Sequence, residues 1–169
     1  MKKSALSLTL AIVAAVVMAV TAAASSTYSE SISGTELPNA TNTEGQFVGA
    51  ATGSYDGTWY IDVKHQDLSY HPAYITGGNF QLDTLVGGWP AAIKGAFVSW
   101  GGTVSQTSGF SGCTNQTYAV RGALSGVGIN GGTGSGSFSA TLTHYRTNVW
   151  FVGCVIYAAS VKGTVSLTF

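Results

Sequence analysis

Beyond residue 45, apolar and polar residues alternate along most of the chain. In the segment 58–65, for example, Trp59, Ile61 and Val63 occupy every second position, with more polar residues between them. A period of two is typical of a β-strand that buries one face. Eight segments of this kind predict strands, at residues 46–52, 58–65, 74–84, 92–100, 116–125, 137–146, 149–157 and 161–169.

The segments between these strands are short and rich in glycine, which favours an antiparallel order. Asp56-Gly57 is a typical hairpin turn, and residues 131–136 are mostly glycine. About eight antiparallel strands are enough to close a sheet, and glycines within strands, such as Gly95 and Gly163, permit sharp bends. We therefore predict an all-β fold, an antiparallel barrel of about eight strands, with a two-sheet β-sandwich as the alternative.

The amino-terminal segment has the pattern of a secretory signal. Lys2 and Lys3 precede an uncharged apolar run, and small residues at 22–24 suit cleavage after Ala24. The next segment, 25–45, is polar and has few residues able to form a core. We therefore predict a signal peptide at 1–24, a flexible polar leader at 25–45 and a single barrel domain at 46–169.

Export changes the interpretation of the two cysteines, Cys113 and Cys154. An isolated pair in an exported chain most simply forms a disulfide, and neither cysteine lies in a CxxC pair or beside a histidine. We predict that they are joined. Export also gives the expected localisation, which is extracellular or in the cell envelope.

Charge and motifs exclude several chemistries. Seven basic and seven acidic residues, 8% of the chain, leave no net charge, so we expect no nucleic-acid partner. Residues 126–131 match GxGxxG, but glycines follow where a nucleotide-binding fold needs a helix. His65 and His71 lie near aspartates without the spacing of a zinc site. We predict no cofactor and no metal.

Aromatic and basic residues provide the candidate binding groups. Trp59 and Trp150 fit core positions. The other two tryptophans lie beside glycines, one in a predicted loop and one at the end of a predicted strand, where rings can be exposed to bind a ligand. Three residues at the end of one predicted strand, and one arginine within another, are candidate polar contacts. The tentative binding residues are Trp89, Trp100, Arg121, His144, Tyr145 and Arg146.

These observations predict an exported small β-barrel with a binding or structural role, its partner an apolar small molecule or a glycan. One alternative is a small barrel enzyme of the isomerase or cyclase type acting on an apolar substrate, although no catalytic motif is found. Another is an outer-membrane barrel, because the last strand alternates and ends in Phe169, as the terminal strands of such proteins commonly do.

Overall fold

The described part of the chain is built entirely from strands. The computed structural model describes residues 25–38 and 40–169, so the predicted signal peptide lies outside it. None of these residues forms a helix long and apolar enough to cross a membrane. The strands are β1 (Thr27–Glu36), β2 (Glu44–Gly53), β3 (Gly57–His65), β4 (Ala73–Val86), β5 (Trp89–Ser108), β6 (Gln116–Ile129), β7 (Gly134–Val149) and β8 (Gly153–Thr168).

These strands form a closed antiparallel barrel. Each pairs with its neighbours in the sequence, and β1 closes the ring by pairing with β8 from Thr27↔Thr168 to Gly34↔Val161. Closure leaves no unpaired strand along the sheet edge. The predicted all-β barrel is confirmed, and the sandwich alternative is not what the chain adopts.

Two strand assignments differ from those predicted. Residues 27–36, expected to belong to a flexible leader, instead form β1, and the barrel begins there rather than at residue 46. Residues 149–157 and 161–169 are not two separate strands, because residues 150–152 form a turn and β8 then runs without a break from Gly153 to Thr168. The number eight is correct, since one missed strand compensates for one strand divided in two.

Apolar side chains fill most of the barrel. Trp59 is fully buried, as predicted, and its indole N–H donates to the carbonyl oxygens of Ser33 at 3.2 Å and Ala50 at 3.0 Å. Trp150 is 83% exposed, so the prediction that it belongs to the core is wrong. The outward positions of β1, β7 and β8 are largely Ser and Thr. Along these three strands the wall is therefore mainly apolar inside and hydroxyl-bearing outside.

Two glycines show why small residues occur within the strands. A side chain at Gly34 would collide with the backbone of Val48 on β2, so the two strands approach closely there. A Cβ at Gly122 would lie 2.7 Å from the ring of Phe97, which occupies the interior. Glycine thus permits close strand pairing at one position and leaves space for an aromatic ring at the other.

The two ends of the barrel differ in how they are covered. The end with the β2–β3, β4–β5 and β6–β7 turns, called the closed end, is covered by Tyr28, Tyr55 and Phe169, whose ring centroids lie 5.0 to 6.3 Å apart. The opposite end, called the cavity end, carries the β1–β2, β3–β4, β5–β6 and β7–β8 connections. There the interior opens into a cavity.

Candidate functional site

The cavity has a volume of about 250 Å³ and extends from the cavity end into the barrel. Its floor is apolar, and its polar groups come from four different strands and the β1–β2 connection. The lining residues are Glu36, Ala40, Thr41, Asn42, Gly45, Phe47, Val63, His65, Leu68, Val104, Gln116, Tyr118, Val120, Leu142, His144 and Ile156.

The central polar feature is a hydrogen-bonded pair formed by Glu36 of β1 and His144 of β7. Glu36 Oε2 lies 2.6 Å from His144 Nε2, and each side chain is only 12% exposed. The two strands flank β8, and both residues lie where their strands reach the cavity end. Gly45 on β2 leaves room for the Phe47 ring and for this carboxylate, because a Cβ there would lie 2.7 Å from the ring and 3.3 Å from Glu36 Oε1.

Tyr118 and Gln116 of β6 lie beside this pair. The ring centroid of Tyr118 is 5.4 Å from that of His144, and its hydroxyl donates to Gln116 Oε1 at 3.3 Å. Burial raises the pKa of the Tyr118 hydroxyl above its ordinary value, Arg146 opposes that shift, and the Glu36 carboxylate adds to it. Tyr118 is therefore a neutral phenol at physiological pH, able to donate or accept a hydrogen bond.

His65, the last residue of β3, supplies a second imidazole. Its side chain is buried, and Nδ1 lies 2.7 Å from the carbonyl oxygen of Gln66. Because a carbonyl oxygen only accepts, Nδ1 is the donor in this bond. In the neutral ring Nε2 is then an acceptor, so the cavity has both donors and acceptors near its apolar floor.

Of the residues predicted from the sequence, His144 lines the cavity. Tyr145 points away from it, with its hydroxyl 3.2 Å from Ser160 Oγ. Arg146 lies near Tyr118 but does not line the cavity, and its guanidinium donates to the carbonyl oxygen of Gly112 at 3.4 Å. Arg121 is exposed on the outer face of β6. These predicted polar contacts therefore do not converge on one ligand.

The two candidate tryptophans are exposed, as predicted, but they lie on different parts of the barrel and do not form a shared site. Trp89 is 78% exposed beside the β4–β5 turn at the closed end. Trp100 is 61% exposed in an irregular part of β5, with its ring centroid 5.6 Å from that of Tyr74 on the outer wall. Neither ring reaches the cavity.

Sequence reasoning missed Glu36, His65, Gln116 and Tyr118 as cavity groups. Glu36 was missed because its segment contains few apolar residues. Yet every odd position from Thr27 to Thr35 is Ser or Thr, the same alternation that runs along β7 and β8. A period-two pattern of hydroxyl residues is an alternative signal for a strand, one that marks the exposed face instead of the buried face.

A disulfide links the β5–β6 connection to the start of β8 at the cavity end. Cys113 in the β5–β6 connection and Cys154 in β8 are bonded, with their Cα atoms 5.5 Å apart. This confirms the predicted pairing and is compatible with an oxidising, exported environment. Within residues 25–38 and 40–169, no group of three or more His, Cys, Asp or Glu side chains is placed to hold a metal ion.

No protein-family model, curated protein or solved structure matches this chain.

Proposed function

We propose that this protein is an exported binding protein that holds a small, largely apolar molecule in the cavity. The observation that carries this proposal is the Glu36–His144 pair, which lies at the rim of a cavity whose floor is apolar. Small-molecule sites commonly have this composition, an apolar surface with a few polar groups that orient the ligand.

The size and floor of the cavity favour a compact apolar ligand over a glycan. An apolar cavity of about 150 Å³ can hold benzene, so about 250 Å³ suits a single substituted ring. Phe47, Val63, Val104, Val120 and Leu142 line the interior, and they offer no partners for the many hydroxyl groups of a sugar. Burying those hydroxyls without hydrogen bonds is unfavourable.

The polar lining favours a ligand with a hydrogen-bond donor. Glu36 and His65 supply acceptors, and no lysine or arginine is among the residues that line the cavity. The Glu36 carboxylate would repel an anionic ligand, and the lining supplies no lysine or arginine to pair with that ligand. A neutral alcohol or an amine fits this environment better.

The outer wall favours a water-soluble barrel over the outer-membrane alternative. Lys94, Arg121 and Lys162 are exposed on the wall, together with the rows of Ser and Thr. A membrane barrel has the opposite polarity, with an apolar band facing outward and a polar interior.

A set of four probes with the same ring tests this proposal: cyclohexanol, cyclohexylamine, cyclohexanecarboxylate and methylcyclohexane. Titrations followed by NMR should place the alcohol and the amine in the cavity. The carboxylate should bind at least about tenfold more weakly, which corresponds to about 1.4 kcal/mol. Glu36→Gln should reduce binding of the amine most. Glu44→Gln is the matched control, because Glu44 does not line the cavity. Binding of no probe, or equal effects of both variants, would refute the proposal.

The same geometry supports an acid–base enzyme as a second candidate. A histidine oriented by a carboxylate, with a phenol beside it, is a common arrangement for moving a proton to or from a substrate carbon. In this enzyme alternative the partner of His144 is Tyr118, because Tyr145 and Arg146 do not line the cavity. Incubation of the protein with cyclohexanone in D₂O should then give deuterium at the carbon next to the carbonyl. If the native protein and the His144→Gln variant give the same rate of deuterium exchange, the enzyme alternative is refuted and binding remains the proposed function.

A further inference from the structure

The β7–β8 hairpin projects beyond the barrel wall as a two-stranded ribbon. The pairing of β6 with β7 begins at Gln116↔His144, and that of β1 with β8 ends at Gly34↔Val161. Residues 145–149 and 153–158 lie beyond these limits and pair with each other, up to Val149↔Gly153. We call residues 145–158 the ribbon.

The ribbon is held to the barrel by a disulfide and a hydrogen bond. Cys154 is bonded to Cys113, and the backbone N–H of Arg146 donates to Asn115 Oδ1 at 3.1 Å. An isolated two-stranded hairpin has little stability in water. These links to the β5–β6 connection therefore keep the ribbon extended and its tip in a fixed position.

The tip of the ribbon is apolar, which is unusual for a turn. Its three residues are Trp150, Phe151 and Val152, exposed by 83%, 96% and 70% respectively. Turns of this kind generally contain Gly, Asn or Asp, and Phe151 has a φ of 66°, a conformation that favours Gly or Asn. The local backbone thus disfavours an aromatic residue at a position where its ring is almost fully in water.

We propose that the tip of the ribbon docks on a lipid bilayer by inserting Trp150 and Phe151 into the interfacial region. Tryptophan favours the boundary between lipid headgroups and acyl chains, and exposed apolar side chains on a protruding segment can enter it without a complementary groove. The ribbon contains no acidic residue and has one base, Arg146, so neither neutral nor anionic headgroups repel it.

The area of the tip distinguishes a bilayer from a second copy of the chain. Two exposed aromatic side chains present on the order of 400 Å². A stable protein interface needs about 800 Å² on each partner. The tip is therefore too small to hold a dimer alone. Ile156 of the ribbon also lines the cavity, so docking would bring the cavity mouth close to the membrane surface.

The proposal is tested with the chain from residue 25 to 169, which contains the whole barrel, and with vesicles of phosphatidylcholine alone or mixed with phosphatidylglycerol. Co-sedimentation should show binding to both. Trp150→Ser combined with Phe151→Asn should weaken it by at least about tenfold, since burial of even one aromatic side chain contributes roughly that factor. Asn suits the φ of residue 151, so this variant should keep the thermal stability of the native protein.

Trp89→Ser is the matched control, because Trp89 is 78% exposed at the opposite end of the barrel. It should leave vesicle binding unchanged. Three results would overturn the proposal: no binding by the native chain, equal binding by the tip variant, or a dimer that is lost in the tip variant. The docking proposal does not rest on a ligand in the cavity, so failure of the cyclohexane probes would leave it standing.

Discussion

Glu30 and Glu36 lie six residues apart on β1 and both point into the barrel, but the two ends give them different roles. Glu30 is fully buried at the closed end, where Oε1 accepts the backbone N–H of Tyr55 at 3.0 Å. Its other oxygen, Oε2, has no hydrogen-bond partner among the described residues. Burial raises the pKa of this carboxyl, and bonds from the backbone of Tyr55 and Ser54 only partly oppose the shift.

Glu36 has a side-chain partner instead of a backbone one. It pairs with His144 at the rim of the cavity, which Ala40, Thr41 and Asn42 of the β1–β2 connection also line. The comparison shows that the covering elements decide what an inward carboxylate does. Where the β2–β3 turn and three aromatic rings close over it, the group serves the fold. Where the end remains open, the group can meet a ligand.

The largest expected effect comes from removing the covalent link at the cavity end. Cys113→Ser combined with Cys154→Ser opens a loop of 41 residues and should lower the free energy of unfolding by about 4 kcal/mol. Denaturant unfolding measures this loss. Hydrogen exchange should rise in residues 109–115 and 145–158 and remain slow in the strands of the closed end. A larger rise in exchange at the closed end than at the cavity end would contradict the proposed difference between the two ends.

A smaller effect is expected from the aromatic cover of the closed end. Tyr28→Ala removes contacts with Tyr55 and Phe169 and should cost about 2 kcal/mol, the value of a partly buried aromatic side chain. Tyr157→Ala is the control, because that ring is 64% exposed on the ribbon, and it should change stability by less than about 0.5 kcal/mol. Thermal unfolding compares them. Equal losses would show that the cover does not stabilise the closed end.

The smallest expected effect is the pH dependence due to Glu30. Its pKa is raised in the folded state, so its contribution to stability is fully present below 4.5, the ordinary value, and is lost as the pH rises through the folded pKa. Glu30→Gln should flatten this part of the curve of stability against pH while keeping an acceptor for the Tyr55 N–H.

Glu30→Met separates charge from hydrogen bonding. It removes the charge and also the acceptor, so it should be less stable than Glu30→Gln at every pH. Thermal unfolding across the pH range provides the comparison. An unchanged slope in Glu30→Gln would show that another group causes the pH dependence.

The strands with alternating apolar residues could be predicted from the sequence, because burial of one face imposes that pattern directly. The segment 58–65 is an example, and it matches β3 almost to the residue. β1 could not be predicted in this way, because only Ile32 among its inward side chains is a buried aliphatic residue. Its place in the sheet depends on pairing with β2 and β8 on both sides, which is a long-range property.

The candidate site was largely beyond prediction for the same reason. His144 was identified by its polarity at the end of a strand. Its partner Glu36 lies 108 residues away in the sequence. No local pattern relates these two positions, and only the closure of β1 onto β8 brings them to the same end.

The sequence by itself determined the class of fold and the disulfide, because alternation and an isolated cysteine pair are local or compositional signals. Only the tertiary structure decided which end opens, which inward groups meet there and where the apolar tip projects. Those features depend on the register of strands distant in the chain. In a barrel, register fixes which residues lie at the same height along the axis and hence which side chains can meet.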